Sequence, residues 1–196
     1  MITFPFNDCW IYNQDLNLNL DEIKNKIYDY HKKNEPTVMV APKIKGNLKE
    51  GSFNFLKESN LFSLEQEILN ATDQCLVELL GNDVEFPNAE IVESWYHITS
   101  YGGYHGYHNH PITPIGGIYY VSTDECNGFS GDNKFYKPYH TGHPLIYGPL
   151  QKIMSDIHQV IPKNNSLILF PGFMYHSASP YYGESDRICI AFNIIL

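Results

Sequence analysis

His108 and His110, in the stretch "GYHGYHNHP" (Gly103 to Pro111), stand two residues apart in a chain with nine histidines. In extended backbone, residues i and i+2 point the same way, so both imidazoles can address one point about 2 Å from each, the length of a metal–nitrogen bond. Asn109 then faces away. His105, three residues before His108, falls on the opposite strand face and reads as a supporting or structural residue. Two imidazoles hold a metal weakly, and a third is offered by "LFPGFMYHSASP", where His176 follows an apolar run and a Pro-Gly turn. Three protein ligands would leave metal positions open for a reactant. Spacing alone leaves the plainer alternative standing: a histidine-rich surface loop and a hydrogen-bonded structural His176.

Arg187 is the only arginine among 13 basic residues. Where lysine serves everywhere else, a single arginine marks a place that needs a planar fork of donors rather than a point charge. It opens "RICIAFNIIL", which has a period of two. Ile188, Ile190, Phe192 and Ile194 share one face; Arg187, Cys189, Ala191 and Asn193 share the other. The second face, a guanidinium with two small residues and an amide, suits a cavity wall. Asn193 lies on that wall, either on the substrate side or hydrogen-bonded in the core.

Elements able to position these groups follow from the remaining pattern. "NLDEIKNKIYDYHKKN" carries Leu20, Ile23, Ile27 and Tyr30 at helical spacing, with Asn19 and Glu22 arranged as a cap and basic residues at the far end. "SLEQEILNATDQCLVELLG" repeats the pattern with Leu64, Ile68, Cys75 and Leu79, opening on Ser63 with Gln66 three later and closing on Gly81. Residues 36 to 60 show no clear period and read as irregular. From about residue 84 the chain changes to short β-like runs: "AEIVESWYHIT", "IGGIYYVS", "HQVI", "SLILF" and "RICIAFNIIL". Residues 124 to 151, rich in Gly, Pro and Tyr, read as a long excursion with little regular structure. Helices first and antiparallel strands second give an α+β, mainly β expectation: helices covering one face of a sandwich or barrel.

Composition narrows the partners. With 196 residues, 43% of them hydrophobic, the chain can bury one core, and residues 1–196 read as a single domain. Its net charge of −9 argues against nucleic acid, which calls for clustered Lys and Arg. The start "MITFPFNDCW" has no basic region or long apolar run, and no stretch approaches the ~18 apolar residues of a membrane span. Cys9, Cys75, Cys126 and Cys189 form no CxxC pair and read as buried thiols of a cytoplasmic protein. Of 22 acidic residues, 16 precede residue 99, while eight of nine histidines lie at or after His97, so the second half carries the chemistry.

"HNHP", "GIYYVS", "SLILFPGFMYHSASP" and "DRICIAFNI", in that order over residues 91 to 196, resemble the small 2-oxoglutarate and Fe(II)-dependent oxygenases of the prolyl-hydroxylase-like group. More narrowly, they are similar to a branch with HxH in place of HxD. The resemblance implies a double-stranded β-helix, a jelly roll formed by residues 84–196, with residues 1–83 as a helical or irregular N-terminal support on one sheet. It also implies Fe(II), 2-oxoglutarate and O2, with decarboxylation to succinate coupled to hydroxylation of a C–H bond. His108 would match the first metal ligand, His110 the position usually held by a carboxylate, and His176 the distal ligand. Arg187 would clamp the far carboxylate of 2-oxoglutarate and Tyr120 would support it. The substrate would be a peptide or protein side chain, or a small molecule, with residues 124–150 over the pocket mouth and Lys134, Lys137, His140 and His143 as lid or substrate contacts or solvated loop residues. Two other readings use the same barrel: a cupin-like three-histidine metal enzyme without 2-oxoglutarate, and a non-enzymatic binding module.

Overall fold

A computed structural model describes residues 1–6, 9–34, 44–45, 48–83, 85–138 and 156–196. His140 and His143 lie outside these residues. Among the described residues, seven strands form a major sheet and five a minor one, and every strand pairing is antiparallel.

The second half of the chain alternates between the sheets. β5 (Glu90–Thr99), β7 (Ile115–Ser122), β10 (Ser166–Pro171) and β12 (Arg187–Ile195) belong to the major sheet, in the order β10-β7-β12-β5. β6 (Tyr104–His108), β8 (Asn133–Tyr136), β9 (Ile157–Val160) and β11 (His176–Ala178) belong to the minor sheet, in the order β6-β11-β8-β9. A chain that crosses between two facing sheets in this way winds a jelly roll, the double-stranded β-helix expected above. All five strands read from "AEIVESWYHIT" to "RICIAFNIIL" form.

The N-terminal support holds more strand than expected. β1 (Ile2–Phe6) and β2 (Cys9–Asp15) extend the major sheet beyond β10, and β4 (Leu48–Gly51) extends it beyond β5. β3 (Ile44–Lys45) pairs with β6 at the edge of the minor sheet. In β2, Cys9, Ile11 and Tyr12 are buried. Tertiary pairing with β10 selects a strand there that a short, mixed sequence does not announce. Within residues 36 to 60, α2 (Phe55–Glu58) also forms, and it buries Phe55 and Leu56.

α1 (Leu20–Lys33) starts where Asn19 accepts from the Glu22 N–H at 3.3 Å, with Asp21 and Glu22 in its first turn and His31, Lys32 and Lys33 in its last. α3 (Phe62–Leu80) ends on Gly81, whose φ of 87° is one that glycine adopts without strain. It starts one residue before the expected Ser63 cap, with Leu61 at the N-cap position and no side-chain cap. Leu61 is buried, and that burial replaces the cap as the determinant of the helix start.

Both helices pack on the outer face of the major sheet. Ile23, Ile27, Leu64, Ile68 and Cys75 share one core with Ile188, Ile190, Phe192 and Ile194, the apolar face of β12. The other face of the sheet closes on the minor sheet through Ile118, Tyr120, Phe135, Ile168, Phe170 and Cys189. Gly117 is opposite Phe192 in the β7–β12 register, and a Cβ there would lie 2.2 Å from the Phe192 ring. Gly117→Ala should therefore overpack this core and lower the unfolding free energy by about 1–3 kcal/mol, read by denaturant titration.

Candidate metal centre

β6 and β11 bring the first two histidines together, because His176 lies directly opposite His108 in their register. His110 follows two residues after β6 ends. Its backbone N–H donates to the Gly172 carbonyl at 2.7 Å, while the Gly172 N–H donates to Pro114 at 3.0 Å, tying this turn to the Pro-Gly turn ahead of His176. One ligand atom from each of His108, His110 and His176 lies within 4.8 Å of the others.

In each of these three rings, Nδ1 faces an oxygen acceptor. His108 donates to the Gly106 carbonyl at 2.8 Å, His176 to the Met174 carbonyl at 3.0 Å, and His110 to the Asn193 Oδ1 at 2.5 Å. With the proton held on Nδ1, each Nε2 keeps its lone pair, the form in which imidazole binds a metal. Burial pushes the His176 pKa well below its ordinary value, and the neighbouring His108 and His110 lower it further. Burial also lowers that of His110, against the opposing pull of Asn193 and Glu93. Pre-oriented and convergent, with burial lowering the pKa of His110 and His176, the three rings fit a divalent metal of the Fe(II) or Zn(II) type.

Asn193 is buried on β12 and connects this triad to the edge of the sheet. Its amide nitrogen donates to Glu93 Oε2 at 2.6 Å, across the β12–β5 pairing. Trp95, also on β5, stacks on the His110 ring at 5.7 Å between centroids.

Arg187, buried at the other end of the same β12 face, lines the cavity together with the three histidines. Its Nε donates to the Gly131 carbonyl at 2.9 Å, Nη2 to Asn133 Oδ1 at 2.9 Å and Nη1 to Cys189 Sγ at 3.5 Å. None of these acceptors is a carboxylate. Tyr120 is fully buried and also donates to Asn133 Oδ1, at 2.8 Å, with its ring 5.8 Å from the Arg187 guanidinium carbon. Asn133 thus joins the two residues from β8, inside the segment read as an irregular excursion. Lys134, on the same strand, alternates away from the cavity-lining Asn133.

His105 departs from its expected orientation. The β6–β11 pairing sets four residues, His105 to His108, against three, His176 to Ala178. This bulge turns both His105 and His108 to the cavity, and their rings are 4.1 Å apart. His105 stacks on His97 of β5 at 5.2 Å, and Glu50 of β4 lies 3.3 Å from His97 Nε2 and 4.0 Å from His105 Nε2. Burial pulls the His97 pKa down, but Cys189 and Glu50, one beside each ring nitrogen, outweigh it and push it up to about 9. His97 was legible through the alternation of "WYHIT" with Trp95, whereas Glu50 and Asn133 carried no motif signal.

The fold and site have counterparts among known proteins. The sequence profile of the 2OG-Fe(II) oxygenase family matches residues 93–193, and the chain belongs to that family. Its members use Fe(II), 2-oxoglutarate and O2, so the chain is a 2-oxoglutarate-dependent oxygenase; a cupin-like enzyme without 2-oxoglutarate and a non-enzymatic module are both set aside. No curated protein matches the chain in sequence. Among solved structures, it is similar to a prolyl hydroxylase from Trichoplax adhaerens in complex with a hypoxia inducible factor peptide fragment (TM-score 0.63, 13% identity, 96% of this chain and 84% of that one). It is also similar to HygX from Streptomyces hygroscopicus with nickel and 2-oxoglutarate bound (TM-score 0.58, 11% identity, 94% and 82% coverage). A third is the α-ketoglutarate dependent epimerase SnoN from nogalamycin biosynthesis (TM-score 0.64, 10% identity, 94% and 77% coverage). At these identities the likeness is one of fold.

A Cβ at Gly172 would stand 2.0 Å from the Thr113 carbonyl and 2.8 Å from that of His110, with backbone on both sides. Gly172→Ala should displace the His110 turn and lower both stability, by about 1–3 kcal/mol, and Fe(II) uptake. Thermal unfolding together with iron analysis checks this.

Proposed function

We propose that His108, His110 and His176 hold Fe(II) through their Nε2 atoms, that Arg187 receives the far carboxylate of 2-oxoglutarate, and that the substrate is a peptide or protein side chain. The observation that carries this reading is Arg187. Among the described residues this buried guanidinium has no carboxylate partner, so an incoming anion would balance its charge, and its fork matches a carboxylate. It lines one cavity with three histidines whose ligand atoms converge as a metal requires. A diacid in that cavity would face the guanidinium with one carboxylate and the triad with the other. Asn133 holds the guanidinium in place, and Tyr120 holds Asn133.

When bound, the cofactors supply the oxidising power: one oxygen atom of O2 enters a substrate C–H bond, and the other enters succinate as CO2 leaves. The chain's own residues orient and exclude. The Nδ1 hydrogen bonds fix each imidazole plane, and Phe135 and Phe170, packed on the His176 ring at 5.7 and 4.8 Å, keep water from its inner side.

Exposed apolar side chains next to the ligands in sequence favour a peptide. Ile112, Phe173, Tyr107 and Tyr175 are exposed beside the three histidines in sequence, and Tyr107 stacks on Tyr175 at 4.5 Å. Such a surface suits an extended chain better than a small polar metabolite. Asn109 donates to the Phe173 carbonyl at 3.2 Å. The four cysteines are free, and among the described residues no helix is long and apolar enough to cross a membrane. Free thiols support a reducing, cytoplasmic setting.

Anaerobic addition of Fe(II) and 2-oxoglutarate should give the weak visible charge-transfer band of the chelated diacid, and His176→Ala should abolish it. Arg187→Lys keeps the charge but loses the fork, so half-saturation by 2-oxoglutarate should rise about 10- to 100-fold while the band persists at saturation. Unchanged half-saturation in Arg187→Lys would remove Arg187 from the site.

A further inference from the structure

Resting on the reading of His108, His110 and His176 as the iron ligands, we propose that Glu93 is a positioning residue that acts on the iron through Asn193 and His110. Replacing the usual carboxylate ligand by imidazole removes a negative charge from the site. Glu93 returns one at a distance of two hydrogen bonds. Its carboxylate can only accept, so the 2.6 Å bond fixes the Asn193 amide with nitrogen toward Glu93 and oxygen toward His110. The amide oxygen in turn can only accept, so the 2.5 Å bond fixes the His110 proton on Nδ1 and the lone pair on Nε2. One carboxylate thus sets an amide orientation, an imidazole tautomer and the basicity of a ligand atom. The strand register supports the chain of bonds, since Asn193 and Glu93 are direct partners across β12 and β5. Direct carboxylate–histidine–metal triads are a recurrent device, and their loss costs 10- to 100-fold in metal affinity. Here an amide is interposed.

The experiment follows Fe(II) binding anaerobically through the 2-oxoglutarate charge-transfer band, whose position reports electron density on the metal. Glu93→Gln lets the Asn193 amide turn over, and it should weaken Fe(II) about 10- to 100-fold and move the band, with unchanged thermal unfolding. Adding Asn193→Asp to Glu93→Gln places a carboxylate directly on His110 Nδ1 and should restore affinity. Wild-type affinity and band position in Glu93→Gln, or no recovery in the folded double variant, would overturn the proposal. A band that survives His176→Ala would overturn the three-histidine reading itself, and the relay with it.

A different observation carries a second inference, independent of the first: we infer that Glu50, His97 and His105 form a further divalent-cation site on the shoulder of the cavity. Their ligand atoms converge within 4.8 Å, the same limit as in the triad. β4, β5 and β6 each supply one. A tetrahedral ion with bonds of about 2.1 Å spaces its ligand atoms about 3.4 Å apart. The Glu50–His97 pair already stands at 3.3 Å and the Glu50–His105 pair at 4.0 Å. Glu50 Oε2 and His97 Nε2 are both buried, His97 is only 8% exposed, and the two atoms face each other at 3.3 Å without the alignment of a hydrogen bond. An ion held between them would satisfy both better than this misaligned contact. Cys189, 3.7 Å from His97 Nδ1, leaves Nε2 as the atom turned to Glu50. Two imidazoles and a carboxylate suit Zn(II), Co(II) or Fe(II). Proton and ion compete for His97, so uptake displaces a proton.

The test is Zn(II) equilibrium dialysis without 2-oxoglutarate, with metal analysis. Wild type should hold about two ions per chain, and Glu50→Gln, His105→Gln and His176→Ala about one each. One ion in wild type that both Glu50→Gln and His105→Gln retain and His176→Ala loses would reduce the cluster to an ion pair. One ion lost in Glu50→Gln but kept in His176→Ala would uphold this site and overturn the triad.

Discussion

The inner strands of the major sheet present one face to the helices and the other to the minor sheet and the cavity, and β12 is where this constraint is tightest. Its apolar face meets α1 and α3, while its other face carries Arg187, Cys189, Ala191 and Asn193, all of them buried. A slip of one residue would drive the guanidinium into the helices and the isoleucines into the cavity. Pairing with β5 on one side and β7 on the other excludes that slip. The same register sets the spacing between Arg187 and Asn193, and hence between the anion-binding end and the histidine end. Catalytic geometry here is a by-product of core packing.

Charge in the cavity is then distributed along that strand. At one end stands a cation without a carboxylate. At the other stand imidazoles that burial holds neutral, with Glu93 behind them. Between them, the Cys189 thiol feels burial, which raises its pKa, against Arg187 and His97, which outweigh it and bring it below its ordinary value. On the proposed assignment of Arg187, such a gradient would draw one carboxylate of a diacid to the guanidinium and leave the other facing the triad.

How far the site was legible depended on whether local period or long-range pairing decided each position. Arg187 and Asn193 fall on one face as read, because strand alternation is local and β12 is long enough to show it, whereas His110 lies beyond the end of β6 and is held by its N–H bond to Gly172 rather than by alternation. His105 was misplaced because an inserted residue in β6 reverses the alternation, and only the partner strand β11 reveals the insertion. β1 and β2 escaped notice because a neighbouring strand, not their own composition, makes them extended. Asn133 lay within a Gly- and Tyr-rich segment that offered no period, although it joins Arg187 to Tyr120. Asn193 was left between a substrate role and a core hydrogen bond, and its two partners, His110 and Glu93, turn it toward the triad's support.

The HxH pattern changes the demand on everything behind the proposed metal ligands. A carboxylate ligand carries its own charge and needs only orientation, whereas an imidazole brings no charge and has two tautomers. A site built on three imidazoles must therefore obtain both anionic character and tautomer control from its surroundings. His108 and His176 have tautomer control from backbone carbonyls, which are fixed by the fold and carry no net charge. His110 alone takes its acceptor from a side chain, and that side chain alone leads on to a carboxylate. The one position where the family's usual acid is missing is thus the one position wired to an acid elsewhere.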